Sequence, residues 1–96
     1  MKLVWRAKAA SDRKKAIQFI ADQNVAAAIS QLDEIERQTD LLIDQLEIGR
    51  PGRIDGTREL VISRTYFVVI YRVHQNIKQA EILRLVRGAQ KWPSKS

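Results

Sequence analysis

The stretch "GRPGRIDGTRELVI", Gly49 to Ile62, marks a change in period along the chain. Before it, apolar residues recur every three or four positions. After it, they recur every second position. The stretch itself holds three glycines, one proline and three arginines. Such a segment can cradle a phosphate or can turn the chain from a helix into a sheet. A phosphate loop of the G-x-x-x-x-G-K-[ST] type must lead into a helix, because the helix N-terminus and the Lys bind the phosphates together. In this chain Gly56 is followed by Thr57-Arg58 and a strand pattern. The dinucleotide fingerprint requires a strand before its glycines, and a helix pattern precedes these. The segment therefore reads as a connection. Gly49 suits the position just after a helix, Pro51 stops the helix resuming, and Gly52 and Gly56 suit positive φ.

Upstream, Ala28, Leu32, Ile35, Thr39, Leu42 and Leu46 form an apolar stripe that predicts a long second helix reaching Gly49, with Val25, Ile29 and Ile43 widening it. Asp33, Glu36, Asp40, Asp44 and Glu47 repeat at the same spacing on the opposite side, as a solvated acidic face. Asn24 suits the helix N-cap, since its side-chain oxygen can accept a free backbone N–H. A first helix covers "AKAASDRKKAIQFIADQN", with Ile17, Ile20 and Ala21 on one face and Ala10 and Arg13 in line. "KLVWR", Lys2 to Arg6, reads as a first strand. Trp5 and Trp92 suit packing anchors.

Downstream, "TRELVIS" places Leu60 and Ile62 on one face. "TYFVVIYRV" places Phe67, Val69, Tyr71 and Val73 on one face, and Tyr66, Val68, Ile70 and Arg72 on the other. "HQNIK" reads as a hairpin connection with Asn76 at positive φ. "AEILRLVR" is a last strand that Gly88 stops. The order β-α-α-β-β-β predicts an α+β domain over residues 1–96. A helical hairpin should pack on one face of a sheet that ends in a three-stranded antiparallel meander. The other face is expected to be partly open and to carry Arg72.

The chain has 96 residues and a net charge of +6. Residues 1–15 carry six Lys/Arg and one Asp, residues 16–48 one Arg and seven acids, and residues 49–96 ten Lys/Arg and three acids. This clustering points to an anionic partner. There is no cysteine, hence no thiolate nucleophile and no disulfide framework. No apolar run suits a membrane helix, and "MKLVWRAKAA" lacks a signal-peptide core, so a cytoplasmic location is expected. His74 is the one histidine and is placed in the hairpin connection, so no convergent metal site and no cofactor are expected. Glu59, Arg72, Arg84 and Arg87 lie on strands and leave proton-transfer and charge-stabilising chemistry on RNA open. Arg84 and Arg87, three positions apart, should point to opposite faces.

The pieces "GRPGR…GTRELVI", "TYFVVIYRV" and "ILRLVRGAQKWP", with "A…D…I…I" in helix one and Ala27-Ala28 opening helix two, resemble the RelE/ParE superfamily of type II toxin–antitoxin toxins. Their order spans nearly the whole chain. RelE-like members cut mRNA in the ribosomal A site with an Arg before the central strand motif, Lys or Glu on the preceding strand, and a Tyr or His near the C-terminus. This chain has Val68-Val69, Val61 and Glu59 at the first two places and no Tyr or His after Gly88. It also has Thr65-Tyr66-Phe67 where many relatives have Pro-Tyr, and Arg87-Gly88 where many have His-Gly. The resemblance is to the ParE-like branch, whose members poison DNA gyrase.

That resemblance implies a growth-arresting toxin, associated with plasmid stabilisation, that inhibits DNA gyrase through binding. A cognate antitoxin would neutralise it by wrapping it with a C-terminal segment. The candidate target-binding residues are Arg58, Arg64, Arg72, Arg84, Arg87, Lys91 and Trp92, with no catalytic residue assigned. The alternatives are a ribosome-dependent mRNA endonuclease and an inactive partner-binding member. Arg58 is the residue of the connection singled out for function, and Gly56 the one for folding.

Overall fold

The computed structural model describes residues 2–88; Lys91 and Trp92 lie outside the described residues. The elements run β1 (Lys2–Trp5), α1 (Ala7–Ala21), α2 (Val25–Asp40), β2 (Arg50–Pro51), β3 (Arg58–Val61), β4 (Phe67–His74) and β5 (Gln79–Arg87). Short 3-10 turns occupy Leu41–Ile43 and Gln75–Ile77. The five strands form one sheet in the order β1-β5-β4-β3-β2. β1 lies parallel to β5, and the remaining pairs are antiparallel. The expected α+β arrangement of a helical hairpin on one sheet face is what forms, and the two-residue β2 extends the meander by one strand.

The alternation read in β4 holds. Phe67, Val69 and Tyr71 join Ile35 of α2, Ala9 of α1 and Ile82 and Leu85 of β5 in the main core, with Ile17, Ile20 and Leu60 packed against it. Five consecutive β4 residues, Phe67 to Tyr71, are buried. Each such side chain contributes about 1.5–3 kcal/mol on leaving water, so the centre of the sheet carries much of the fold's stability. The opposite face is less open than expected: Val68, Ile70 and Val86 are buried there as a second cluster, and Arg72 is half-buried.

Asn24 caps α2 as its sequence position suggests, its Oδ1 accepting the Ala27 N–H at 3.0 Å. The helix nevertheless stops at Asp40, well short of Gly49. Two physical reasons coincide. Thr39 donates its hydroxyl back to the Ile35 carbonyl at 2.7 Å, a bond that weakens the helical ladder. Continuing to Glu47 would also place Asp40, Asp44 and Glu47 at the negative end of the helix dipole. Leu42 and Leu46 still reach the core from the irregular segment. Val25 and Ile29 do not widen the buried stripe; they are 62% and 59% exposed, and Ile43 is exposed too.

Tyr71 organises that segment. Its hydroxyl donates to the Leu46 carbonyl at 2.7 Å and accepts the Gly49 N–H at 3.0 Å. A Cβ on Gly49 would lie 2.6 Å from the Tyr71 oxygen and 2.9 Å from the Glu59 carbonyl. Gly49 is thus required by close approach rather than as a residue ending the helix. Gly56 does adopt positive φ, 79°. Gly52 does not; its missing side chain makes room for Thr57. In the β4–β5 connection positive φ falls on Lys78 (49°), not Asn76.

Two further contacts bind α1 to the sheet. The Arg13 guanidinium lies 4.3 Å from the centre of the Trp5 ring, and Trp5 packs against the core as an anchor. Past Trp5, no strand among the described residues pairs with β5 on its β1 side. Asp12 of α1 reaches that edge and accepts the Leu85 N–H at 3.1 Å.

Candidate functional site

The candidate arginines within the described residues do not converge on one point. Arg58 on β3 donates to the Gly49 carbonyl at 2.7 Å, and its other nitrogen sits 4.0 Å from Glu47. Its guanidinium therefore closes the connection on itself. Arg84 on β5 forks onto Asp12, with bonds of 2.6 and 3.2 Å. Both side chains are mostly buried, so the pair ties α1 to β5. Arg72 stands opposite Glu81 in the β4–β5 ladder and lies beside Gly56. Arg64 is exposed in the β3–β4 turn with φ of 68°. Arg87, exposed at the end of β5, lines a groove with Lys15 and Phe19 of α1. Arg84 and Arg87 thus serve different stretches of α1 and make no joint site.

The two strand carboxylates are equally committed. Glu59 is 2% exposed. Burial pushes its carboxyl up, but the Arg53 backbone N–H (3.1 Å) and the Arg50 guanidinium (3.1 Å) outweigh that and hold it below the ordinary 4.5. Glu59 is an anion locked between two arginines. Glu81 accepts from His74 Nε2 on one oxygen (3.0 Å) and from Arg6 on the other (2.8 Å). The His74 bond first and the Arg6 bond second keep its carboxyl low against the opposing effect of burial. His74 is therefore the last residue of β4 rather than a solvated loop residue, and it joins β4 to β5 and to the start of α1. Among the described residues no group of three or more His, Cys, Asp or Glu is placed to hold a metal. No described helix is long and apolar enough to cross a membrane.

What does converge is an apolar groove of about 420 Å³ between α1, α2 and the ends of β4 and β5. Ile20, Phe67 and the ring of Phe19 line it, and Lys15 and Arg87 supply the cations. Phe19 is 60% exposed and Tyr66, which stands at its edge, is 78% exposed. The two rings leave apolar surface open to water beside these cations. The sequence gives one signal for each: Phe19 falls outside the Ile17–Ile20–Ala21 face, and Tyr66 precedes the buried run of β4.

The hairpin carrying Tyr66 is rigidly built. Gln38 of α2 donates to the Ser63 carbonyl at 3.0 Å and accepts the Ser63 N–H at 2.8 Å. The Thr65 hydroxyl donates to the Ile62 carbonyl and accepts the Phe67 N–H. Gly88 donates to the Tyr66 carbonyl at 2.6 Å. The strained φ of Arg64 is thus held from both sides.

Comparison with known proteins agrees with this architecture. Residues 3–92 match the family model described as ParE toxin of type II toxin-antitoxin system, parDE. A Sinorhizobium fredii (strain NBRC 101917 / NGR234) protein named "Putative toxin Y4kP" is 33% identical over 75 residues, 78% of this chain and 75% of that one. A structure of the chromosomal ParDE TA system from P. aeruginosa superposes with a TM-score of 0.80 at 29% identity, covering 91% of this chain and 95% of that one. The RelBE2 toxin–antitoxin complex from Mycobacterium tuberculosis shares the fold, with a TM-score of 0.59 at 22% identity, covering 93% and 92%. A helical hairpin on this sheet, a match over nearly the whole length and a toxin relative at this identity lead to one conclusion: the chain belongs to the ParE toxin family of type II toxin–antitoxin systems.

Proposed function

We propose that the protein arrests growth by binding DNA gyrase and trapping its cleaved-DNA state, and that a cognate antitoxin neutralises it. The observation that carries this reading is the division of labour among the charged side chains. Glu59, Glu81, Arg58 and Arg84, four of the charged groups on strands, are each bonded within the fold, while Arg72 is half-buried and Arg87 exposed. The exposed rings of Phe19 and Tyr66 and the exposed Lys15 and Arg87 border open grooves. That distribution suits a protein that acts by binding. Likeness to the ParE-like branch favours gyrase as the target, and the exposed Arg64 and Arg87 are the arginines proposed to contact it.

The antitoxin reading rests on the first groove. An amphipathic segment could set apolar residues on Phe19, Ile20 and Phe67 and acidic residues against Lys15 and Arg87. Such binding weakens as salt rises.

A supercoiling assay with purified gyrase tests the target. The expected result is loss of supercoiling with accumulation of cleaved DNA, reversed by the antitoxin. Unchanged supercoiling, with new 5′ ends in primer extension on translating mRNA, would instead place the protein among the ribosome-dependent endonucleases. Absence of growth arrest on expression without antitoxin would mark it as an inactive member.

A further inference from the structure

We propose that two copies of this chain pair through their helical hairpins, α1 of each copy lying on α2 of the other about a two-fold axis. The starting observation is the charge of the two helices. α1 carries four Lys/Arg and one Asp, a net +3, and α2 carries four acids and one Arg, a net −3. Part of that charge is used inside the chain. Asp12 bonds Arg84, Arg13 lies on the Trp5 ring, and Arg37 bonds Glu34. Lys8, Lys14 and Lys15 of α1 and Asp33, Glu36 and Asp40 of α2 are exposed, and among the described residues none of these six makes an ion pair. The two helices show water opposite charges that are not spent on each other.

Spacing places these groups where a second copy can meet them. Val25, Ile29, Asp33, Glu36 and Asp40 follow one another at three or four positions and share one face of α2. Lys8, Lys15 and Phe19, seven and four apart, share one face of α1. Residues 22–24 alone join the helices, so Phe19, Val25 and Ile29 lie toward the turn end of the hairpin and the charges lie farther from it. All three of these apolar residues are exposed. Beside Phe19 the α1 face is hollowed into a groove of about 500 Å³, lined by Ser11, Lys14, Lys15, Gln18 and Asp22, the last already bonded by Gln18. A ridge of a partner helix can fill it.

Charge chooses between the two ways of stacking such hairpins face to face. A two-fold across the helices sets α1 on α1 and α2 on α2, basic on basic and acid on acid. A two-fold along the helices sets α1 on α2 with the turn ends together. Phe19 then meets Val25 and Ile29 of the second copy, Lys15 meets its Asp33, and Lys8 meets its Glu36 and Asp40. That contact is isologous, so it closes at the dimer. Its charges also fix the register. α1 has 15 residues, hence a length of about 22 Å, and two helices side by side are about 20 Å wide. A face of that size belongs with weak, reversible contacts.

This inference goes beyond the gyrase reading and does not depend on it, because it concerns the toxin alone. The test is sedimentation velocity of the full chain without antitoxin, from micromolar to millimolar concentration. A monomer–dimer equilibrium that weakens as salt rises is expected. On dilution of the wild type, amide chemical shifts should move on the exposed faces of α1 and α2. Lys8→Glu with Lys15→Glu, and separately Asp33→Lys with Glu36→Lys, should each weaken the dimer at least about ten-fold. Mixing the two variants should restore a dimer with one copy of each, because α1 and α2 again carry opposite charges at both contacts. A monomer at every concentration would overturn the proposal and leave these faces to another protein. So would a dimer indifferent to salt or to either charge reversal, assemblies that grow beyond two copies, or dilution shifts confined to the sheet. Failure of the two folded variants to pair would also overturn it.

Discussion

The connection from Gly49 to Arg58 and the hairpin from Ile62 to Phe67 are both short, turn-rich and basic, yet they spend their side chains in opposite ways. In the connection the polar groups turn inward. Arg58 bonds the Gly49 carbonyl, Arg50 and the Arg53 N–H bond Glu59, and the Thr57 hydroxyl bonds the Ile54 carbonyl. In the hairpin the bonds run through Gln38, Ser63 and Thr65, leaving Arg64 and Tyr66 exposed. A basic loop is therefore not by itself a binding loop. In the connection the guanidinium groups hydrogen-bond carbonyls and carboxylates of the fold, whereas the exposed Arg64 meets the Glu34 carboxylate through its charge.

The contrast breaks most easily at Gly49. Gly49→Ala would press a Cβ onto Tyr71 and the Glu59 backbone, and should cost about 3 kcal/mol by urea unfolding. Tyr71→Phe leaves the Leu46 carbonyl and the Gly49 N–H without their buried partner and should cost about 2 kcal/mol. A cost under about 0.5 kcal/mol for either would show that the connection is not held in this way.

Glu59→Gln should cost less, about 1 kcal/mol, because its arginine partners are roughly half exposed and screened. Its pH dependence has a definite sign. A folded-state carboxyl held below 4.5 contributes stability above that pH and loses it as pH falls through the folded value. The gap between wild type and Glu59→Gln should therefore narrow in acid. A gap that widens as pH falls would mean that Glu59 is protonated in the native state and does not anchor the arginines.

At the exposed end the effects on stability should be smallest. Phe19→Ser and Tyr66→Ala should each change unfolding free energy by under about 0.5 kcal/mol while abolishing growth arrest or antitoxin binding. Destabilisation well above that would make these rings part of the core.

Much of the fold was legible because period and capping are local properties. Asn24 and the period-two run of β4 each report their neighbours' geometry directly, whereas Gly49, which suits a helix end in sequence, is needed for the close approach of Tyr71. The end of α2 was not legible, because the apolar spacing continues through Leu42 and Leu46 although the helix does not. There the Thr39 back-bond and the Tyr71 hydroxyl, 25 residues from Leu46, decide the backbone. The site was harder still. Arg58, Arg64, Arg84 and Arg87 look alike in sequence, and only the fold shows that Arg84 is buried on Asp12 while Arg87 borders a groove. Phe19 and Tyr66 lie off the apolar faces of their elements in sequence, but only the fold shows that they border one groove.

The most direct measurement compares gyrase inhibition by Tyr66→Ala and Glu59→Gln, purified and assayed where both are folded. If the groove residues act and the strand carboxylates only hold the fold, Tyr66→Ala loses inhibition of supercoiling and Glu59→Gln keeps it. Inhibition that survives Tyr66→Ala but disappears in folded Glu59→Gln would contradict that assignment.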